Sequence, residues 1–505
     1  MKENSNALNL NMKGNHMKKF NLLIAAGVAL SCLSLSAMAE ISNTSNIVER
    51  LYPRFGSSWI GDPMPFNNDG TLEIFYLDDA RFGSEGFHPW HRTSTKDFRT
   101  YTDHGEVIPF VEDLQSQELA LGTGSVIKVG DIYHAFYTAH NKNLEPYEAI
   151  MHATSTDMQK WSKHPSHKFF APDRYEKNDF RDPHVVYIEE EKRYWMLVTA
   201  RKDGRGVIAK LTSTDLINWK DEGILFENDM VARDTNLECP TLIQYGDFWY
   251  LSFSDQWPDR VTQYRIADNP NGPFRKPVVP AIDGRGFYAG KLEQMNGHLY
   301  VAGWTPSKQL YQDNGEFAWA GNLVIHQLRQ EKNGQLYTQA PEQIEEYFQS
   351  TFTPKVSTTT NPNENALKFE KGDYQVTSFG KIEGITKIEG AITTSGWFNN
   401  QFGITFNVIR DRGRLNITFD KSQDKIFFYN VPLERAEELK PQITIDHKLK
   451  ENSKFTIYID DSVMVMYVDD EIALSTRMYR MQDRTWGIFS NGSNVEFSNL
   501  TISKK

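Results

Sequence analysis

Three acidic residues, Asp62, Asp182 and Glu238, stand in Trp59-Ile60-Gly61-Asp62-Pro63, Phe180-Arg181-Asp182-Pro183 and Leu237-Glu238-Cys239-Pro240. Carboxylates gathered in one partly desolvated pocket push each other's pKa values apart, leaving one protonated near neutral pH and another ionised. Cleavage of a glycosidic bond needs that division of labour. One carboxylic acid protonates the leaving oxygen, and an ionised partner attacks the anomeric carbon or activates water. A third acid can hold sugar hydroxyls or steady the oxocarbenium-like transition state.

Residues so far apart need a scaffold that converges them, and the spacing supplies one. Each acid is read at the same point of a module of fifty to sixty-odd residues that ends in a recognisable tail. The tails are Thr93-Ser94-Thr95-Lys96-Asp97-Phe98, Thr154-Ser155-Thr156-Asp157-Met158 and Thr212-Ser213-Thr214-Asp215-Leu216, with Tyr101, Trp161 and Trp219 four residues after the Asp. A fourth tail is Asp268 to Phe274, and a fifth module begins near Gly286-Phe287-Tyr288-Ala289. A repeat of this length built from short strands suggests one blade per copy of a β-propeller, five copies over 40–350, with the first strand of each blade lining the channel. The tail residues Asp97, Asp157 and Asp215 read as turn and capping groups between outer strands.

Beyond residue 350 the pattern changes. The polar stretch 351–366 (TFTPKVSTTTNPNENA) reads as a linker. Segments such as Leu415-Asn416-Ile417-Thr418-Phe419 then alternate with period two, which predicts a β-sandwich over 367–505. The expected class is therefore all-β, a five-bladed propeller followed by a sandwich whose role is packing or carbohydrate contact. Residues 1–39 join basic Lys18 and Lys19 to an apolar run and Ala37-Met38-Ala39, the form of a cleaved signal peptide. A periplasmic or extracellular bacterial protein is expected. Removing that segment, with its four lysines and one glutamate, takes the net charge from −11 to −14. So acidic a surface disfavours nucleic acid and anionic membrane as partners. Cys239 is then the one remaining cysteine and is expected to fill apolar space. His88 and His91 lack zinc-like partners and no Walker pattern is present, so neither a metal nor another cofactor is expected.

Taken together, the segments resemble glycoside hydrolase family 32, the β-fructosidases, whose first motif reads W-M-N-D-P-N-G and whose others centre on R-D-P and E-C. Arg181-Asp182-Pro183 and Glu238-Cys239 match literally, Gly122-Thr123-Gly124-Ser125 matches a short serine motif approximately, and Gly286 to Ala289 resembles D-F-Y-A. The resemblance implies a fructan or fructo-oligosaccharide substrate and retaining hydrolysis, with Asp62 as nucleophile, Glu238 as acid/base and Asp182 as transition-state stabiliser. Trp59, Trp90, Ser125, Arg181, Tyr288 and Trp304 are the candidate substrate contacts. For Arg181 a structural ion pair is the competing role, and for Trp90, Trp257 and Trp304 a place in a blade core. One departure stands out: Gly61 and Met64 replace the two motif asparagines. Losing amides that bond sugar hydroxyls alters selectivity, so sucrose is not the expected preferred substrate; Asn67 and Asn68 are the nearest amides that could substitute. Three other readings stay open: a fructotransferase, an inverting arabinanase or xylosidase, and a non-catalytic carbohydrate-binding protein. The segment Leu310 to Trp319 is expected to form a rim loop. Exo or endo action, linkage and oligomeric state are left undecided.

Overall fold

The computed structural model describes residues 46–80, 88–256, 260–395, 401–431 and 440–505. The expected signal segment 1–39 and Trp257 lie outside them. Among the described residues no helix is long and apolar enough to cross a membrane.

The first part of the chain is a succession of antiparallel meanders. The first holds β1 (Ile47–Glu49), β2 (Trp59–Asn68), β3 (Thr71–Asp79), β4 (Trp90–Thr95) and β5 (Thr100–Ile108), with β1 added outside β5. The second runs through β6 (Ala120–Val129), β7 (Ile132–His140), β8 (Glu148–Ser155) and β9 (Ser162–Lys163). The third is β10 (Phe180–Ile188), β11 (Arg193–Lys202), β12 (Arg205–Ser213) and β13 (Lys220–Glu227). In the fourth, β14 (Leu237–Tyr245), β15 (Phe248–Asp255) and β16 (Thr262–Ala267) are followed by two isolated bridges, Ile266 to Arg275 and Gln263 to Ala281. The last holds β17 (Tyr288–Met295), β18 (His298–Lys308), β19 (Phe317–Gln330) and β20 (Leu336–Gln339). The first strands of successive meanders, β2, β6, β10, β14 and β17, pack side by side, and β17 returns to β2. This is a β-propeller. Its ring is fastened where first and last meanders meet, by the pairing of Ile60 with Gly321 and by Leu323 N donating to Pro53 O at 3.0 Å.

The tail aspartates have the turn role expected of them. Oδ1 of Asp97, Asp157 and Asp215 accepts the backbone N–H groups two and three residues on, at 2.8–3.0 Å. Each Asp is followed by a residue of positive φ, namely Phe98, Met158 and Leu216. Three copies of one turn between third and fourth strands explain the periodicity visible in the sequence.

Past the propeller the chain forms two seven-stranded sheets that share an apolar core, including Ile404, Ile417 and Phe419 from one sheet and Ile388, Ile457 and Met466 from the other. The polar stretch expected as a linker is built into this sandwich. Ser350–Phe352 pairs with Val495–Lys504, and Val356–Thr359 pairs with Gln375–Lys381. Its hydroxyls explain why: Thr358 and Thr359 bond Ser378 and Thr377 across the strands at 2.7 and 2.8 Å, contacts that polar composition alone does not separate from a loop.

The sandwich seals one side of the propeller. Asp460 Oδ2 accepts from the N–H groups of Leu51 and Tyr52 at 2.9 and 3.3 Å. Buried Arg477 donates to Pro306 O, Thr305 O and Asn322 Oδ1 at 2.8, 3.1 and 2.6 Å, bracing the hairpin of β18 and β19.

Candidate active site

The first strands of the ring share one device. Each pairs regularly with its neighbour except for a bulge near its start, between Gly61 and Met64, Leu121 and Gly124, Arg181 and His184, Glu238 and Thr241, and Tyr288 and Lys291. A bulge breaks the strict alternation of faces and re-aims side chains. Here it brings consecutive residues to the same cavity, as for Arg181 with Asp182 and Glu238 with Cys239. Asp62, Asp182, Cys239 and Ala289 have φ of 42°, 58°, 54° and 54°, the sparsely populated region in which strain collects at functional sites.

This register corrects the expected phasing. Asp62 and Asp182 are equivalent, but Glu238 stands one residue earlier, level with Gly61 and Arg181, and Cys239 occupies the aspartates' place. Glu238 nevertheless reaches the cavity because of the bulge. The signal was present: Pro63, Pro183 and Pro240 each follow the positive-φ residue.

Asp62, Asp182 and Glu238 line one cavity of about 850 Å³. Both oxygens of Asp62 are engaged: Trp304 Nε1 donates to Oδ1 at 3.1 Å and Thr123 Oγ1 to Oδ2 at 2.7 Å. Burial raises the Asp62 pKa, while those two donors and nearby His88 oppose the rise. The carboxylate is thus held in a fixed plane by groups that favour its ionised form. Asp182 Oδ2 accepts from Cys239 N at 3.0 Å and Thr199 Oγ1 at 3.2 Å, and its own N–H donates to Thr138 Oγ1 at 2.8 Å. Burial lifts the Asp182 carboxyl to about 6 against the attraction of Arg181.

Glu238 is clamped from two sides. Arg181 Nη2 donates to Oε1 at 2.8 Å and Tyr288 OH to Oε2 at 2.5 Å. Arg181 also donates to Asp179 Oδ1 at 2.9 Å, so it is a positioning ion-pair group that faces the cavity as well. Burial and the Glu238 charge push the Tyr288 hydroxyl well above its ordinary pKa. It keeps its proton and remains a donor.

The other sequence candidates divide. Tyr288 and Arg181 face the cavity, and Trp304 lies beneath it, buried against Tyr288 and Trp319. Trp90 is fully buried among Phe75 and Tyr137 and donates to Gly122 O at 2.9 Å, so it is core and not a sugar platform. Trp59 stacks on Tyr311 at 5.9 Å and has the guanidinium groups of Arg54 and Arg477 4.5 and 5.2 Å from its ring centroid, at the junction with the sandwich. Ser125 accepts from Val185 N and donates to Pro183 O, tying β6 to β10 outside the cavity. Thr123, two residues before it, is the member of that motif that bonds an acid; the bulge decides which residue faces inward, and spacing does not reveal it. Asn67 and Asn68 accept from Gly70 N and Tyr133 OH at the far end of β2, so neither replaces the missing amides. Met64 is buried, and its sulfur accepts from Gly124 N at 3.1 Å. Of the segment Leu310 to Trp319, expected as a rim loop, Glu316, Phe317 and Trp319 line the cavity, and the last two do so from the start of strand β19, not from a loop. Buried Cys239 packs with Tyr288, Ala289 and Trp304. Among the described residues, one triplet is spaced to hold a metal ion, His447, Asp469 and Glu471 in the sandwich, where Lys450 Nζ already contacts Glu471 at 2.8 Å.

The model of the glycosyl hydrolases family 32 N-terminal domain matches residues 56–341, and that of the family's C-terminal domain matches 345–504. The chain is 22% identical over 515 residues to a levanase of Bacillus subtilis, covering 93% of this chain and 72% of that one. It is 20% identical over 303 residues to an insoluble isoenzyme of beta-fructofuranosidase from Arabidopsis thaliana, covering 53% of this chain and about half, 51%, of that protein's length. Among solved structures, sucrose-6-phosphate hydrolase from Lactobacillus gasseri superposes with a TM-score of 0.70 at 18% identity, over 92% of this chain and 93% of that one. Fructan 1-exohydrolase IIa from Cichorium intybus gives 0.69 at 17%, over 90% and 98%. At such identities the superpositions establish the fold, a propeller followed by a sandwich.

Proposed function

The chain belongs to family 32 of the glycosyl hydrolases, and from that premise we propose that it cleaves β-fructofuranosidic bonds of a fructan, levan or inulin, by retaining double displacement. The observation that carries the proposal is the convergence of Asp62, Asp182 and Glu238 from three meanders on one cavity, with Asp62 and Glu238 each gripped at both oxygens. The alignment of a levanase along nearly the whole chain supports a fructan substrate.

In this reading Asp62 attacks the anomeric carbon while Glu238 gives its proton to the departing oxygen, forming a fructosyl ester on Asp62 and releasing the leaving group. Water then attacks that ester, Glu238 takes the water's proton, and the Asp62 carboxylate is regenerated. The Tyr288 hydroxyl donates to Glu238 when it is ionised and accepts when it is protonated, so it serves both half-reactions. Asp182, ionised above its pKa of about 6, faces the positive charge that develops on the sugar ring. Residues 1–39 would direct the enzyme to the periplasm or outside the cell, where polymeric fructan is accessible.

The test is product analysis of the purified protein on levan, inulin, sucrose and arabinan, beside an Asp62→Ala control. Free fructose or fructo-oligosaccharides from a fructan, absent in the control, is the expected result. Turnover of arabinan alone would overturn the assignment.

A further inference from the structure

The sandwich holds a polar cluster that plays no part in the cavity. His447, Asp469 and Glu471 each offer a ligand atom, all within 4.8 Å of one another. The side chains of His447 and Asp469 are each only 7% exposed, with Nε2 and Oδ2 4.0 Å apart. Among the described residues, both atoms are buried without a hydrogen-bond partner. Buried polar atoms are almost always paired, so two that face each other unpaired point to a group that binds between them.

Backbone contacts hold this arrangement. Asp469 Oδ1 accepts from Lys454 N at 2.8 Å, which leaves Oδ2 on the side of His447. His447 N donates to Asp424 O at 2.8 Å, and Glu471 N to Val468 O at 3.0 Å. Asp469 and Asp470 have φ of 55° and 53° in the tight turn between the strands Val463–Val468 and Ile472–Arg477. Lys450 Nζ lies 2.8 Å from Glu471 Oε1 and 3.6 Å from Asp469 Oδ2. That side chain is half exposed, so it is free to swing into solvent, and it leaves His447 Nε2 unbonded.

An imidazole with two carboxylates suits a divalent transition cation, whereas calcium and magnesium take oxygen ligands. We propose that His447 Nε2, Asp469 Oδ2 and a Glu471 carboxylate oxygen form a structural site for such a cation, of the zinc class, with Lys450 as the counterion it displaces. Zinc ligands at about 2.1 Å in a tetrahedral array lie about 3.4 Å apart, so the gap between His447 and Asp469 closes by roughly half an ångström on binding. The two carboxylates balance the charge of the ion.

The position gives the ion a task. Ile443–Asp446, just before His447, is the edge strand of one sheet, and Ile472–Arg477, just after Glu471, is the edge strand of the other. A bound cation staples the two sheets together at that edge. The same hairpin supports the propeller, since Thr338 N donates to Glu471 O at 3.0 Å and Asp283 accepts from Ser475 N and Oγ at 3.0 and 2.6 Å.

Calorimetric titration of the chelator-treated full chain with zinc chloride and with calcium chloride tests the site. Zinc should bind about tenfold or more tighter than calcium, and should raise the melting temperature by about 2–3 °C when it stands a hundredfold above its Kd. His447→Gln and Glu471→Gln should each weaken zinc binding about tenfold or more. Lys450→Met, which removes the competitor from an exposed position, should tighten it about fivefold. His167→Gln is the control, because His134, His152 and His167 form a second imidazole cluster whose nitrogens bond one another at 3.0 and 2.9 Å; zinc binding should be unchanged there. Absence of zinc binding, binding that survives both Gln variants of the triplet, or binding lost in His167→Gln would overturn the site. Should the triplet variants fail to fold, Lys450→Met decides: zinc bound no tighter than by the parent chain would count against the proposal.

Discussion

The indole of Trp319 occupies the space that a side chain at position 61 would need: a Cβ on Gly61 would lie 2.4 Å from Trp319 Cη2. Position 61 is where the family motif carries an asparagine beside the nucleophile. The departure is thus one half of an exchange, in which a polar amide is absent and an aromatic ring from β19 lines the cavity in its place.

Coupling between these two positions is the first expectation. Gly61→Asn should cost about 1–3 kcal/mol from overpacking, and Trp319→Ala a comparable amount from lost packing against Trp304 and His88. The double variant should be more stable than the sum of its parts, with sucrose cleavage raised relative to levan. Thermal unfolding of the four proteins checks it, and simple additivity would count against the exchange.

Thr123→Val tests the electrostatics at Asp62. The Thr123 hydroxyl donates to Asp62 at 2.7 Å and lowers its pKa. Removing it raises that pKa, and in the proposed mechanism Asp62 must be ionised to attack, so the acid limb of the kcat/KM profile should move to higher pH. A fall in kcat/KM of about tenfold at neutral pH is expected. An unshifted limb would remove Asp62 from the profile.

Asp182 should trade stability for activity. Its carboxyl is lifted to about 6 from an ordinary 3.8, so between those values the folded state binds a proton that the unfolded chain has lost. Stability therefore falls as pH rises through that window, and the penalty is complete above about pH 6. Asp182→Asn should abolish activity yet stabilise the protein by about 1–3 kcal/mol at pH 7.5, with the gain vanishing near pH 4. Melting temperatures at the two pH values give the answer; equal gains at both would show that charge is not the cause.

Arg477→Met should expose how far the sandwich supports the site. It would strip donors from Thr305 O, Pro306 O and Asn322, next to Trp304 on β18. A loss of about 3 kcal/mol or more is expected, in a single unfolding transition of propeller and sandwich together. Two separated transitions in a scanning calorimeter would contradict it.

How much of this was legible beforehand depended on range. The repeating tails marked the blades because Asp97, Asp157 and Asp215 make the same turn with neighbours two and three residues away. Trp90 and Trp304 looked alike in sequence, yet one is core and the other bonds Asp62, because their surroundings come from other blades. In sequence Ser125 stands out over Thr123 and 351–366 reads as a linker, where a bulge and cross-strand hydroxyl pairs decide otherwise.

The sequence by itself determined the all-β architecture, the family and the three acids that line the cavity, since strand period, turn motifs and short acidic motifs are local properties of the chain. Only the tertiary structure decided that Glu238 is one residue out of phase with the aspartates, that Trp319 fills the place of a motif amide, and that Arg260 and Arg285 line the same cavity as the three acids. Those outcomes are set by bulge register and by packing between strands distant in sequence, where close packing leaves room for one side chain and excludes another.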